Sequence, residues 1–381
     1  MGAGTDKYIT GRVQKFNQKY EMLRRARWDP AMSHLRGKLF GQVIPPKDKD
    51  GYTLKDVAFC DAAWFLELRY GHGIETHGRD LLEWDREPIG ISRLPSGLKL
   101  TISNPREITR NVKKVARFFG ASLAGICELD QRWVYSHCYN SISGRVEEFE
   151  IPEECKYAIV MAVEMDYQGI LTSPTKVAHG AVGLGYSKMA FIAALTAQFI
   201  RGLGYRAIPC GNDTALSIPI AIDAGLGELG RNGLLITREF GPRIRLCKVF
   251  TDMPLTPDTP AEFGVTEYCN KCRKCARFCP VGAISWGERN DQPLTMSNNG
   301  GALKWFVNVE RCLEFWIKNN AACSNCVRVC AFNKPVGLLH ESVRQLVKYT
   351  PWLNSLLIKL DDFAGYGKQV KARDFWASID C

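Results

Sequence analysis

Eight cysteines crowded into the last third of the chain constrain it more than any hydrophobic pattern. Cys269, Cys272, Cys275 and Cys279 follow one another with two, two and three residues between them, and Pro280 comes directly after. A second run, Cys312, Cys323, Cys326 and Cys330, repeats the order with its first gap enlarged to ten residues. The spacing has a geometric reason. Three thiolates, each two residues from the next, wrap three corners of one cubane. A fourth, three residues on, points away and reaches a second cubane. Crossing the two runs gives one [4Fe–4S] cluster on Cys269, Cys272, Cys275 and Cys330. The other falls on Cys279, Cys312, Cys323 and Cys326. Two structural zinc sites are the competing reading, and the interleaved order of the eight cysteines argues against it.

A ferredoxin-like segment of this kind is a one-electron wire and performs no substrate chemistry of its own. The chain has 381 residues, far more than such a segment needs. The remainder must therefore bind whatever takes the electrons. Seven further cysteines (Cys60, Cys127, Cys138, Cys155, Cys210, Cys247 and Cys381) are scattered, which suits small buried apolar side chains better than a disulfide framework. A net charge of +10 favours acidic partners or an anionic membrane surface. No Lys/Arg run is long enough to imply nucleic-acid binding. No run of about 18 apolar residues suggests a membrane span. Met1 is followed by Gly-Ala-Gly-Thr-Asp, without the apolar stretch of a signal peptide. Arg24-Arg25 leads into Ala-Arg-Trp-Asp-Pro, which reads as a basic surface helix rather than a twin-arginine signal.

Four regions separate. Residues 1–100 are rich in Pro, Gly, Trp and charge, and read as a wrapping segment that contributes to a substrate pocket. Residues 101–260 alternate helix and strand patterns, an α/β or α+β domain. Pro105–Phe119 has a helical apolar face ended by Gly120. Tyr157–Val163 and Ala207–Cys210 read as buried strands, and Ser187–Ile200 as a long helix stopped by Gly202 and Gly204. Pro219 suits the first turn of a short helix ending near Gly225. Leu234–Ile236 and Ile244–Phe250 read as strands joined by a Gly241-Pro242 turn. Residues 261–335 hold the cysteines. Residues 336–381 form a tail, whose apolar stretch Trp352–Leu360 reads as a helix packed on the body.

No GxGxxG after a strand and no Walker A is present. Gly183-Leu184-Gly185-Tyr186-Ser187-Lys188 reads as a glycine-rich turn opening a helix, a weak phosphate cradle. Gly225-Leu-Gly-Glu-Leu-Gly-Arg-Asn-Gly is denser in glycine, which suits tight turns or close approach of backbone to a ligand.

The stretch Gly225 to Arg245, followed by the two cysteine runs, resembles the respiratory reductive dehalogenases, over roughly residues 100–335. It is more distantly similar to epoxyqueuosine reductase. The resemblance implies a nitroreductase-like corrinoid-binding domain fused to a ferredoxin-like domain with two [4Fe–4S] clusters. It also implies a corrinoid (cobalamin or a relative) bound base-off, which agrees with the absence of an Asp-x-His-x-x-Gly motif around any of the six histidines. Carried over position by position, the proton donor falls on Tyr186, a neighbouring asparagine on Asn212 and an arginine on Arg245, with Arg243 a close competitor. Cofactor contacts fall on Gly185, Ser187, Gly211, Gly227 and Gly230, and walls of the substrate pocket on Trp316, Trp64 and Tyr70.

Replacing carbon–halogen by carbon–hydrogen needs two electrons and one proton. A phenol, with a reference pKa of about 10, is an acid weak enough to coexist with super-reduced cobalt. A guanidinium beside it stabilises the phenolate left behind, an amide can hydrogen-bond the phenol or the departing halide, and aromatic walls exclude water. The expected substrate is a small halogenated organic molecule, a chlorinated alkane or alkene. The resemblance also implies a small membrane anchor protein, a quinol-linked or other electron donor, possible homodimers, and a mature form on the outer face of the cytoplasmic membrane after twin-arginine export. Leaderless members work in the cytoplasm. Two other readings remain at this stage: an epoxyqueuosine-type corrinoid reductase, and a ferredoxin-like electron-transfer subunit without a substrate of its own.

Overall fold

The computed structural model describes residues 3–40, 44–71, 80–87, 91, 92, 95 and 97–378. Three helices precede the main body: α1 (Met22–Trp28), α2 (Ser33–Phe40) and α3 (Leu54–Tyr70). Thr53 and Asp56 cap α3 reciprocally, each side chain accepting the other's backbone N–H. Helix α4 (Pro105–Phe118) starts on the Asn104 side chain, which accepts from the amides of Arg106 and Glu107. It ends at Gly120, whose φ of +110° few other residues would adopt.

The body is built on β1 (Leu123–Glu128), a hairpin of β2 (His137–Tyr139) and β3 (Val146–Glu148), β4 (Tyr157–Glu164), α5 (Tyr167–Leu171), α6 (Lys176–Gly202), β5 (Ala207–Cys210) and α7 (Ser217–Asp223). The hairpin β6 (Glu228–Leu229) and β7 (Leu235–Ile236) follows, then β8 (Ile244–Thr251). Four of these strands form one antiparallel sheet in the order β1-β4-β8-β5. Both of its faces are covered, so β4 is apolar at every inner position and its two side-chain sets part company. Ile159, Met161 and Val163 join the core under α4 and α6 with Ile108, Val112 and Ile192. Ala158, Val160 and Ala162 join the core under α7 with Ile220, Leu246 and Phe250.

Two sequence expectations are corrected here. β7 and β8 are not partners across the Gly241-Pro242 turn: β7 pairs with β6, and β8 takes the centre of the sheet between β4 and β5. The long helix also begins eleven residues earlier than Ser187, capped by Thr175. Gly183 and Gly185 therefore lie inside α6, with their amides in the helix ladder, and cradle no phosphate. They serve packing instead. A Cβ on Gly180 would sit 2.6 Å from the Phe59 ring, and one on Gly183 would overlap the Trp64 indole. Glycine thus lets α3 lie against α6, and its cost in helix propensity is outweighed by that contact. By length and composition α6 could cross a membrane, yet 67% of its apolar window is buried, as in a core helix.

The cysteine-bearing segment follows: α8 (Val265–Cys272), α9 (Lys274–Arg277), α10 (Val309–Asn319) and α11 (Asn325–Arg328). The N-terminal α1 and α2 pack Met22, Met32 and Leu35 on Leu313 of α10. After it come α12 (Leu338–Tyr349), α13 (Asn354–Phe363) and α14 (Ala372–Ala377). Leu357 and Ile358 of α13 pack on the core of Phe263, Tyr268 and Phe332. The Trp376 indole of α14 donates to Asp56 at the start of α3 at 2.8 Å. Of the scattered cysteines, Cys60, Cys127, Cys155, Cys210 and Cys247 are buried, Cys138 is partly so, and Cys381 lies outside the described residues.

Candidate functional site

Four thiols, those of Cys269, Cys272, Cys275 and Cys330, line one cavity with Ile236, Tyr268 and Phe332. Cys312, Cys323 and Cys279 stand close enough to one another and to Cys326 to repel electrostatically. The two sets are those of the crossed assignment, and Cys326 also repels Cys330 and Cys275, so the sets adjoin. Burial first, and mutual repulsion second, push Cys312 up to about 12. Cys330 is likewise pushed up to about 12, chiefly by burial. Thiols that resist ionisation in this way become thiolates when cationic iron binds them.

The second constellation lies beside the sheet, in a recess of about 170 Å³ lined by Tyr186, Asn212, Ser217, Leu235, Ile244 and Arg245, among others. Tyr186 comes from the middle of α6. Arg245 is on β8, on the face turned to α6, with its guanidinium 4.9 Å from the Tyr186 ring centroid. Asn212 follows the edge strand β5, and its Nδ2 donates to the Tyr186 hydroxyl at 3.4 Å. The three residues carried over from the resemblance thus meet in space from three separate elements.

Arg243 is excluded from that role by its position. It is 1% exposed, forms an ion pair with Glu164, and donates to Asn333 at 2.9 Å and to the Met165 carbonyl at 2.6 Å. It pins the sheet to the segment following the last cysteine. Arg245 by contrast keeps a buried Nε with no partner.

Trp64 of α3 stacks on Tyr186 at 5.0 Å with 23° between the rings, so this wall residue does reach the proton-donor candidate. Its other face meets His179 edge-on at 5.4 Å. Burial, with Lys176 and Arg245 nearby, lowers the His179 pKa to about 4 and keeps the ring neutral. Tyr70 is not brought to the recess: it is an exposed ring at the end of α3, edge-on to Phe65. Trp316 lies outside the recess lining and packs on the Met22 and Leu313 core beside Cys312.

The cofactor-contact assignments need a different reason. The Ser187 hydroxyl donates to the Ala63 carbonyl at 2.7 Å and accepts from the Glu67 amide at 3.2 Å, which ties α6 to α3. A Cβ on Gly185 would sit 2.9 Å from Arg245 Cγ, so this glycine makes room for the arginine. Gly227 and Gly230 are pressed against Ile236, within the β6–β7 hairpin. At Gly211 alone a Cβ would meet only ordinary contacts, the nearest Leu82 at 3.6 Å, and its carbonyl is taken by Lys248. The glycine-rich stretch owes its form to the cluster segment: Arg231 donates to the carbonyls of Cys269, Ser285 and Gly287.

Sequence reasoning missed Lys248, Ser217 and Arg231. The signal for Lys248 was available, a lone charge inside the apolar strand Ile-Arg-Leu-Cys-Lys-Val-Phe-Thr. Lys248 is fully buried and donates to Ser217 Oγ at 3.1 Å. Burial lowers its pKa, opposed by Cys210 and Asp213.

The chain thus joins a segment carrying two sets of cluster-type cysteines to a recess that holds a phenol, a guanidinium and an amide. The 4Fe-4S dicluster domain family matches residues 268–334. The chain is 35% identical over 349 residues to the tetrachloroethene reductive dehalogenase of Sulfurospirillum multivorans, covering 83% of this chain and 68% of that one. It is 39% identical to the protein of that name from Desulfitobacterium hafniense, covering 78% of this chain and 63% of that one. The chain belongs to the reductive dehalogenase family, whose members carry two [4Fe–4S] clusters and a corrinoid. Among solved structures, the catabolic reductive dehalogenase NpRdhA in complex with 3-bromo-4-hydroxybenzoic acid superposes with a TM-score of 0.73 at 22% identity. That match covers 95% of this chain and 48% of that one, so the present chain spans about half of the solved protein and about two thirds of the curated relatives. The epoxyqueuosine reductase of Listeria monocytogenes matches only 31% of the chain, at 32% identity.

The lining of the recess suits contact with one edge of a corrinoid. Its walls of Leu234, Leu235, Ile244 and Leu246 suit the apolar edge of a macrocycle, and the unpartnered Arg245 Nε is a donor awaiting an acceptor.

Proposed function

We propose that this chain reductively dehalogenates small organohalides, with chlorinated ethenes as the first substrates to test. The observation that carries the reading is the meeting of Tyr186, Asn212 and Arg245 at one apolar recess adjoining the cysteine segment. Trp64 and Tyr186 share a packed cluster with Val327 and Cys326, so the second set of thiols adjoins the site.

The bound clusters, held by the eight cysteines, supply single electrons. A corrinoid would be held by the walls around Leu234, Leu235, Ile244 and Leu246, and would supply low-valent cobalt as the two-electron reductant of the carbon–halogen bond. The protein's own groups do the rest. Tyr186 holds the proton that the new carbon–hydrogen bond needs, at its phenol oxygen. Arg245 lies over the ring of Tyr186, where its positive charge stabilises the phenolate that remains. Asn212 donates to the same oxygen. The apolar lining and Trp64 exclude water from the reacting carbon. Overall, two electrons and one proton replace one carbon–halogen bond by carbon–hydrogen and free one halide.

The reading extends to a small membrane anchor and a quinol-linked donor at the outer face of the cytoplasmic membrane. A net charge of +10 supports contact with an anionic surface, and co-flotation with anionic vesicles tests it. The main test is anaerobic oxidation of reduced viologen by protein loaded with iron and corrinoid, given a panel of chlorinated ethenes and ethanes. Substrate-dependent oxidation with chloride release is expected. No oxidation by protein verified to hold both iron and cobalt overturns the reading.

A further inference from the structure

The recess is backed by a chain of polar groups that runs from a buried lysine at the edge of the sheet out to the exposed side chain of Asn212. It starts at Lys248 Nζ, on the face of β8 opposite Arg245, and passes to Ser217 Oγ at 3.1 Å. From Ser217 Oγ it passes to Asn212 Oδ1 at 3.1 Å, and from Asn212 Nδ2 to Tyr186 Oη at 3.4 Å. Lys248 also donates to the Gly211 carbonyl, one residue before Asn212. Asp213 follows on the other side and accepts from the Gly211 amide at 2.8 Å.

The direction of this chain is decided at its buried end. An ammonium has three donors and no acceptor, and Lys248 faces the Gly211 carbonyl and the Ser217 hydroxyl, with the Asp213 carboxyl close enough to couple electrostatically. The Ser217 oxygen must therefore accept from lysine and turn its own proton outward. The hydrogen bond it makes there is to Asn212 Oδ1, so the amide oxygen accepts and the NH2 faces Tyr186. An amide free of this chain could present either end to the phenol. We propose that Lys248, through Ser217, is a positioning residue that locks Asn212 as a donor toward the Tyr186 oxygen. Asn212 is thereby set to stabilise the phenolate rather than to hold the phenol's proton. The chemical consequence rests on Tyr186 being the proton donor; the orientation itself does not.

The test has two readouts. In the cluster- and corrinoid-loaded protein, Ser217→Ala and Lys248→Met lower kcat about tenfold, the scale of one lost charge-assisted hydrogen bond, with KM little changed. Ser217→Thr, which keeps the hydroxyl, restores kcat. Independently of turnover, 3-fluorotyrosine placed at position 186 reports the hydrogen bonding of the phenol by its ¹⁹F shift. That shift moves in Ser217→Ala and in Lys248→Met and returns in Ser217→Thr. An unchanged ¹⁹F shift in both variants overturns the proposal, whether or not the protein dehalogenates. A shift that moves with Ser217→Ala but not with Lys248→Met removes the lysine from it. If Lys248→Met fails to take up iron, the Ser217 pair decides alone, and failure of threonine to restore the shift refutes the hydroxyl's role.

Discussion

The sheet body and the cysteine segment are held together by different forces. In the body, β4 and β8 bury almost every side chain between two helical layers, and Arg243 and Lys248 are among its few interior charges. In the cysteine segment the helices are short and the apolar core is small. Buried charges do much of the tying there: Lys274 pairs with Asp361 and Asp362, and Lys334 pairs with Asp361. The body can stand on apolar burial, whereas the segment depends on its iron and its ion pairs. The recess sits on the self-sufficient side of that boundary. Its chemistry can therefore be dissected by substitution without loss of the scaffold, while the electron path cannot be separated from folding.

The largest effect that would break this contrast is iron removal. Chelation under reducing conditions is expected to strip amide protection from residues 268–334 while β4 and β8 stay protected, as read by hydrogen exchange. Equal loss in both regions would show one cooperative unit. Next in size, Tyr186→Phe is expected to lower kcat by about 10²–10⁴-fold with an unchanged melting midpoint. Full turnover with bound corrinoid would remove the phenol from the mechanism. Asp361→Asn leaves two buried lysines without their shared partner, and is expected to cost about 3 kcal/mol, with the loss falling on the cysteine segment.

A comparable effect sits inside the body. The pKa of His179 is lowered to about 4 in the folded chain, against about 6.5 unfolded. Above 6.5 the ring is neutral in both states. As pH falls toward 4 the unfolded chain takes up the proton first, so stability is lost across that window, on the order of 3 kcal/mol. His179→Gln should flatten the dependence of the urea midpoint on pH between 6.5 and 4; an unaltered slope would show that other groups cause it. Smallest, Gly183→Ala crowds the Trp64 indole, is expected to cost about 1 kcal/mol, and should perturb Tyr186 fluorescence through the stacked pair.

The same boundary divides what could be read from the sequence. The cysteine sets were legible because ligand spacing is local. The strands β4 and β5 and the helices α4 and α7 were legible from apolar runs, Asn104 and Pro219. The start of α6 was not, because glycine is a helix breaker by propensity, and only contact with Phe59 and Trp64 explains Gly180 and Gly183. The pairing of β7 with β6 was hidden because a Gly-Pro turn signals a hairpin without naming its partner. Tyr186, Asn212 and Arg245 share no local motif; the resemblance named them, and the fold supplied Lys248 and Ser217 behind them.

One placement limits how this site can change. Tyr186 is anchored halfway along a 27-residue helix wedged between α3 and the sheet, so its backbone has nowhere to travel. The phenol can adjust only by its own two torsions, against Trp64 on one side and Arg245 on the other. A bulkier or smaller guest cannot be accommodated by swinging the acid toward it. Substrate range must then be set by the opposite wall, and variants selected for new halides should accumulate changes around that wall while position 186 and its helix stay as they are.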